Sequence, residues 1–599
     1  MAVNPAQLIR RIPDGLDALR KLPQAGRRQV QRAAAQALFH ELYNVMQQAG
    51  RAESTSVFDR LLRALEVELA CSGEDLLRIP ESGPLVVVGN HPTGLLDGAV
   101  AAALCLRRRP DVRILVNHLL PFHEDIEPYL IRVDPYEHRD SVDRNRAPLR
   151  QAVRWLRRGG CLVTFPAGDV SRLDWKHWQI ADPEWNPAIA GLVRLGRAAA
   201  LPVHIRAGNS PAFHLLGAVH PRLKTLRLPA ELLNKRGSRV EVRAGTAVPF
   251  SRLAAFDDRE MIAHLQARNI LLGKCSSRPS PSPLAHGGAP AVVSMPDLLG
   301  RSLAACCLVE NGEWAVTVFR GGEDPRLMEI IGRLREAAFR AAGEGTGNEV
   351  DVDRFDAHYH QLVLWNLKDR AIAGGYRVGA TSEILPRFGP SGLYTSTLFR
   401  LRPEFFRRLG PAAELGRSFI SPHYQKLYMA LLTLWQGIGA WVRRHPECRR
   451  LFGPVSISAS YQNVSRLLLV HALTDSALDP ELAPFVRPRR PLRDRQARAV
   501  RDAWRRLLIR QPEQISDLIA SLEPDGKGVP VLLRQYLRLG GRIAAFNVDP
   551  QFSNVIDGLI VVDLLRTERQ LLERYMTPSG AREFLDFHAA RQTGVAASG

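Results

Sequence analysis

A chain of 599 residues that is 45% hydrophobic and 24% charged is long enough for two or more globular domains with real cores. Its formal net charge of +20 calls for a polyanionic partner, such as an acidic protein or an anionic membrane surface. Nothing in it resembles a zinc finger, an RNA-recognition signature or a basic zipper, so nucleic acid is not the expected partner.

Seven cysteines (Cys71, Cys105, Cys161, Cys275, Cys306, Cys307 and Cys448) are scattered without C-x-x-C spacing, as expected of reduced thiols in the cytosol and not of a metal site. No signal-peptide pattern opens the chain, and no window approaches the roughly 18 consecutive apolar residues of a spanning helix. The expectation is a soluble or peripheral protein.

Residues 1–57 read as a basic helical segment in which Arg10, Arg11, Arg20, Lys21, Arg27, Arg28 and Arg32 alternate with leucines and isoleucines. Such a segment lies in a lipid interface or packs on its own domain with a solvated basic face. Pro13 and Pro23 interrupt a long helix and favour the second.

Over residues 58–275 strands and helices alternate, which predicts an α/β domain with a largely parallel sheet. Strands are expected at Leu85–Val88, Val112–Val116, Cys161–Phe165, Val203–Ile205 and Val240–Arg243, with a last helix at Arg259–Leu272 closed by Gly273. Residues 276–295 (Pro-, Ser- and Gly-rich) read as a linker. Residues 296–599 read as an α+β domain with a helical C-terminal extension. Asn311-Gly312 marks a hairpin and Asp324-Pro325 starts a helix. Strands follow at His360–Asn366, Ala373–Val378, Leu393–Thr397, Glu414–Ile420 and Val455–Ser458.

The chemistry of the first domain centres on Asn90-His91-Pro92-Thr93-Gly94-Leu95-Leu96-Asp97-Gly98, which follows the apolar strand at 85–88. A histidine and a carboxylate in a strand-to-helix turn form a base and its orienter, or else simply cap a helix. Three later blocks accompany this one: Ile131-Arg132-Val133-Asp134, Phe165-Pro166-Ala167-Gly168 and Leu201-Pro202-Val203. In this order the four resemble the lysophospholipid acyltransferase superfamily. The His-x5-Asp spacing, Ala167 and Asn209-Ser210-Pro211 are similar to its hemolysin-like branch. The resemblance implies O-acyl transfer, with His91 and Asp97 catalytic and Asn90, Arg132, Phe165, Pro166 and Gly168 at the substrate. The departures from the main family favour a phosphate-free acceptor.

In the second domain Arg335, Asp353, Asp356, Arg377, Glu414 and Arg417 stand out. Read alone they are ion pairs on a solvated sheet. On an extended strand Glu414 and Arg417 point to opposite faces unless a bulge at Gly416 re-aims one of them. Together, as D-x-[YF]-D, G-x-Y-R and E-L-x-R, they resemble the acyl-homoserine-lactone synthases and ornithine N-acyltransferases, variants of the GNAT fold. The resemblance implies N-acylation of an amino acid, ornithine first among candidates, with Glu414 catalytic and Arg335, Asp353, Asp356, Arg377 and Arg417 binding substrate.

Ser421–Lys426 stands where ordinary GNAT enzymes carry a glycine-rich pyrophosphate loop, and it contains no glycine. The expected donor is therefore the phosphopantetheine thioester of an acidic acyl carrier protein, with no bound cofactor and no metal. The whole chain resembles the bifunctional ornithine lipid synthases, which implies a place on the inner face of the bacterial cytoplasmic membrane. The alternatives are a lysophosphatidic acid acyltransferase whose GNAT-like half only binds carrier protein, and a non-enzymatic basic membrane-binding protein.

Overall fold

The structure, a computed structural model, describes residues 56–118, 124–134, 141–174, 179–214, 231–276, 293–509 and 512–596. Nearly all of the expected basic segment and most of the expected linker lie outside these residues. The chain divides into two compact units, one running to Cys275 and including Asp502–Arg510, the other holding Ser276–Arg501 and the remainder. The stretch 502–510, expected in the C-terminal extension, thus joins the first unit, where the Leu507 carbonyl lies 2.8 Å from His264 Nδ1.

The first unit is built on strands β1 (Glu68–Ala70), β2 (Leu85–Gly89), β3 (Val112–Asn117), β4 (Leu130–Val133), β5 (Cys161–Thr164), β6 (Arg172–Asp174), β7 (Gln179–Ala181), β8 (Ala199–Arg206) and β9 (Arg239–Ala244). Seven of them form one sheet in the order β1-β9-β8-β2-β5-β3-β4, parallel except between β8 and β9. Helices α1 (Leu95–Leu106), α2 (Ser141–Arg157), α3 (Ala188–Gly196) and α4 (Asp258–Lys274) cover it.

Strand β2 is central and buried on both faces, which is why it reads as an unbroken apolar run. Leu85 and Val87 pack with the alanines of α1, and Val86 and Val88 with residues of α2, α3 and α4. Each such side chain contributes about 1.5–3 kcal/mol by leaving water. Gly273 does not close α4 as expected. It lies inside the helix because the His204 ring occupies the place of its missing Cβ, with Cε1 2.4 Å away.

The second unit contains β10 (Cys307–Asn311), β11 (Trp314–Arg320), β12 (His360–Asn366), β13 (Ala371–Ala380), β14 (Phe399–Leu401), β15 (Ala412–Ile420), β16 (Arg450–Ile457), β17 (Val486–Pro488), β18 (Arg542–Asp549) and β19 (Val555–Asp563). Eight of these make one sheet in the order β10-β11-β12-β13-β15-β16-β19-β18, antiparallel except between β15 and β16. That parallel pairing runs from Ala412↔Arg450 to Glu414↔Phe452.

Helix α5 (Pro325–Ala341) starts where expected, with Asp324 accepting from the Leu327 N–H at 2.9 Å and Pro325 in the first turn. The expected strand at Leu393–Thr397 is instead a helical turn, α6 (Thr395–Leu398). The Glu414 carboxylate gathers both the main-chain N–H and the hydroxyl of Thr395, which curls the backbone out of an extended path.

Candidate active sites

Three neighbouring strands of the first sheet, β8, β2 and β5, end at the same edge and deliver Asn209, His91 and Phe165 there. Such an edge is where parallel sheets place their chemistry. His91 Nδ1 lies 2.9 Å from Asp97 Oδ2. Asp97 is fully buried in the first turn of α1 and also accepts from the Thr93 and Gly94 N–H groups, both at 2.9 Å, and from the Thr93 hydroxyl. Gly94 takes φ +93°, a left-handed conformation that brings its N–H onto the carboxylate at little cost. With Nδ1 buried against Asp97 and one-fifth of the side chain exposed, Nε2 is the nitrogen left for an acceptor.

Phe165 stacks on the imidazole with centroids 4.7 Å apart. Gly89 permits this, since a Cβ there would stand 2.9 Å from the Phe165 ring. Gly168 turns the chain after β5 with φ +65°, donating its N–H to the Phe165 carbonyl, and the Pro166 carbonyl accepts from Asn186 N at 2.8 Å.

Two of the residues expected at the substrate have partners of their own within the protein. Asn90 spends its amide on the main chain of Ile205, donating through Nδ2 at 2.9 Å and accepting through Oδ1 at 2.7 Å. It clamps β2 to β8 and positions the turn. Arg132 sits on the edge strand β4, paired with Glu127, because the strand order puts β5 and β3 between it and β2. Asn90→Ala is expected to cost about 2 kcal/mol through two unpaired backbone groups, visible as a lower melting temperature of the first unit.

Sequence reasoning assigned no role to the groups that hold this turn from behind. Asp182 Oδ1 and Oδ2 lie 3.1 and 3.2 Å from the His91 main-chain N–H. Asn209 donates to the Pro92 carbonyl at 3.2 Å, and buried Glu231 accepts from the Ser210 N–H and hydroxyl.

In the second unit the expected solvated ion pairs are instead buried. Arg335, Arg377, Asp356 and Glu414 are each 1% exposed. Three arginines and three aspartates alternate in a closed ring. Arg335 meets Asp351 at 2.9 Å, Asp351 meets Arg417 at 3.2 Å, and Arg417 meets Asp353 at 3.2 Å. Asp353 meets Arg377 at 2.7 Å, Arg377 meets Asp356 at 3.2 Å, and Asp356 returns to Arg335 at 2.9 Å.

Burial pushes the Asp353 and Asp356 carboxyls up, but their arginine neighbours, Arg377 foremost, hold both below the usual carboxylate range. The ring is neutral as a whole, so its aspartates are already matched and offer no spare charge to an ammonium group. Arg377 keeps two buried donors, Nε and Nη2, that make no hydrogen bond among the described residues. Its guanidinium lies 5.2 and 5.0 Å from the ring centroids of Tyr359 and Tyr394.

The bulge that could re-aim Arg417 is present. Gly375 pairs with Phe419 and Arg377 with Gly416, so β15 carries one extra residue there, and Arg417 takes φ +50°. A left-handed arginine costs about 1–2 kcal/mol. It brings Arg417 to the ring, although Glu414 three residues earlier faces the same side. Glu414 accepts from Tyr359 Oη and from the N–H (2.6 Å) and hydroxyl of Thr395. Burial raises its carboxyl above the ordinary range, against the lowering effect of these donors and of Arg377.

Known proteins match stretches of both units. A family model described as Acyltransferase matches residues 38–276, and one described as Acetyltransferase (GNAT) domain matches residues 334–436. A glycine N(alpha)-acyltransferase of Bacteroides thetaiotaomicron is 32% identical over 270 residues, covering 41% of this chain and 77% of that protein. The chain belongs to the acyltransferases.

An L-ornithine N(alpha)-acyltransferase of Rhizobium meliloti is 26% identical, with 41% of this acyltransferase and 78% of that protein covered. A lyso-glycine lipid O-acyltransferase of Phocaeicola vulgatus is 28% identical, with 29% and 63% covered. This acyltransferase therefore spans somewhat less than two thirds of the O-acyltransferase it matches. Among the described residues no helix is long and apolar enough to cross a membrane.

Proposed function

We propose that this acyltransferase makes an aminolipid in two steps on one chain. The second unit transfers a 3-hydroxyacyl group from a thioester to the α-amine of an amino acid. The first unit then acylates the 3-hydroxyl of that lyso-lipid. The observation that carries this reading is the pairing, in one chain, of an acyltransferase and a GNAT domain whose relatives are named for N-acylation of glycine or ornithine and for O-acylation of a lyso-glycine lipid.

In the first step the amine must lose a proton to attack. Glu414, raised by burial, is suited to receive it, and the free nitrogens of Arg377 are suited to the amino acid's carboxylate. The acyl-thioester carbon–sulfur bond breaks, the amide forms, and the thiol leaves. In the second step His91 takes the proton of the 3-hydroxyl through Nε2 while Asp97 holds Nδ1 and the growing positive charge. Phosphate recognition has no part in this acceptor, in keeping with Arg132 being paired with Glu127.

An acidic acyl carrier protein suits both steps as donor. Ser421–Leu427 forms turns without glycine before the next helix begins at Tyr428, so no tight pyrophosphate cradle stands there. Arg487, Arg489, Arg490, Arg493, Arg495 and Arg498 are exposed in one run and offer such a partner complementary charge. Ornithine and glycine are the two acceptor amino acids that the relatives' names bring forward.

Expression in a host lacking aminolipids is expected to yield a ninhydrin-positive, phosphorus-free lipid, and mass spectrometry of the extract would identify its amino acid. Rescue of a phospholipid acyltransferase defect with no aminolipid formed would sink the proposal.

A further inference from the structure

We propose that Asp182 is a positioning residue for His91: it fixes the base through the main chain, while Asp97 fixes it through the ring. This rests on the reading of His91 as the base of the O-acyl transfer.

Strands β6 and β7 form a short antiparallel hairpin in which Arg172 pairs with Ala181. Ser171 and Asp182 are the residues just outside that pair, at the hairpin's base. Both grip the backbone of the same residue, His91. The Ser171 N–H donates to the His91 carbonyl at 2.8 Å, and Asp182 accepts the His91 N–H. Asp182 is itself held by the Ser171 hydroxyl at 2.5 Å and by Trp185 Nε1 at 3.0 Å. Trp185 is in turn 2% exposed within the core.

The choice of a carboxylate here is not explained by stability. Burial raises the Asp182 carboxyl above its ordinary range, while the Ser171, Trp185 and His91 donors work against that shift. A partly buried carboxylate with neutral donors is seldom better for folding than a well-packed apolar side chain. Its geometry has a different use. His91 follows the end of β2 and lies before the turn that α1 caps, so its backbone has no ladder partner of its own. Two hydrogen bonds from the residues flanking one strand pair supply that partner and fix where the imidazole starts. A misplacement of about 1 Å at such a base can cost on the order of a hundredfold in rate.

The test uses the full-length enzyme, an N-(3-hydroxyacyl) amino acid as acceptor and an acyl carrier protein thioester as donor. Asp182→Asn keeps the shape but turns an amide N–H toward Trp185 Nε1–H or toward the His91 N–H. It is expected to lower kcat for O-acylation by about ten- to a hundredfold with the acceptor KM within about twofold. Adding Trp185→Phe removes the competing donor, frees the amide oxygen for His91 and should recover at least about fivefold of the lost kcat.

Wild-type kcat in Asp182→Asn, a KM that rises in proportion to the loss, or no recovery in the double variant would overturn the proposal. If Asp182→Asn does not fold, as read by circular dichroism and thermal melting, Ser171→Ala decides. A kcat several-fold lower at unchanged KM supports the role, and wild-type kcat removes it. Wild-type enzyme without any O-acyl product would remove the reading of the first unit and this inference together, whereas turnover indifferent to Asp182 removes the inference alone.

Discussion

Replacement of His91 by alanine is expected to lower O-acyl transfer by about a thousandfold or more while N-acyl transfer continues at its wild-type rate. An alcohol is a poor nucleophile near neutral pH, and in the proposed reaction His91, whose Nδ1 lies against Asp97, would take its proton through Nε2. The lyso-lipid should therefore accumulate in cells making the variant, and liquid chromatography with mass spectrometry would show it in place of the diacylated product. Asp97→Asn should have a similar direction. An amide facing Nδ1 favours the wrong tautomer, and it also loses the contacts that four groups (Thr93 N, Gly94 N, the Thr93 hydroxyl and the His91 ring) make with one carboxylate. Unfolding is the competing explanation for Asp97→Asn but not for His91→Ala, whose side chain packs mainly on Phe165 and Asp97. A wild-type lipid profile from His91→Ala would refute the assignment.

This site was legible in the sequence because parallel strands write their function at their ends. An apolar run buried on both faces is conspicuous, and the residue after it lies at the functional edge of the sheet. His91 stands just past such a run and Phe165 just past another, and the structure brings both rings and Asp97 together. For Asn90 and Arg132, position in a motif did not say which protein groups the side chain touches. Asn90 meets Ile205, 115 residues away, and Arg132 is two strands removed from β5. Asp182 gave no local signal, since it reaches His91 across 91 residues. In the second unit Asp351 had a faint one: it precedes Asp353 by two residues in an extended stretch, which places both on one side. The helical turn at Thr395 was hidden by β-branched neighbours, whose strand preference lost to the Glu414 carboxylate.

The ring of charges makes the second large prediction. Removing one member leaves its neighbours buried without a partner, which typically costs about 3–5 kcal/mol. Arg377 is the most consequential, because it pairs with two aspartates and stacks near two tyrosines. Arg377→Met should lower the melting temperature of the second unit by about 10 °C and abolish N-acylation, while the melting and O-acylation of the first unit stay unchanged. The acid side of the stability curve gives an independent check. Asp353 and Asp356 are held below the ordinary carboxylate range in the folded state, whereas in the unfolded chain they titrate near about 3.9. Their contribution is therefore complete above that unfolded value and is lost as the pH falls through the folded ones. Wild-type stability should decline steeply below about pH 4. In Arg377→Met the two carboxyls lose their nearest cation and protonate more readily, so that acid-side slope should flatten or reverse. Denaturant melts between pH 3 and pH 7 would show it, and equal slopes in the two proteins would mean that the ring contributes nothing to holding this sheet together.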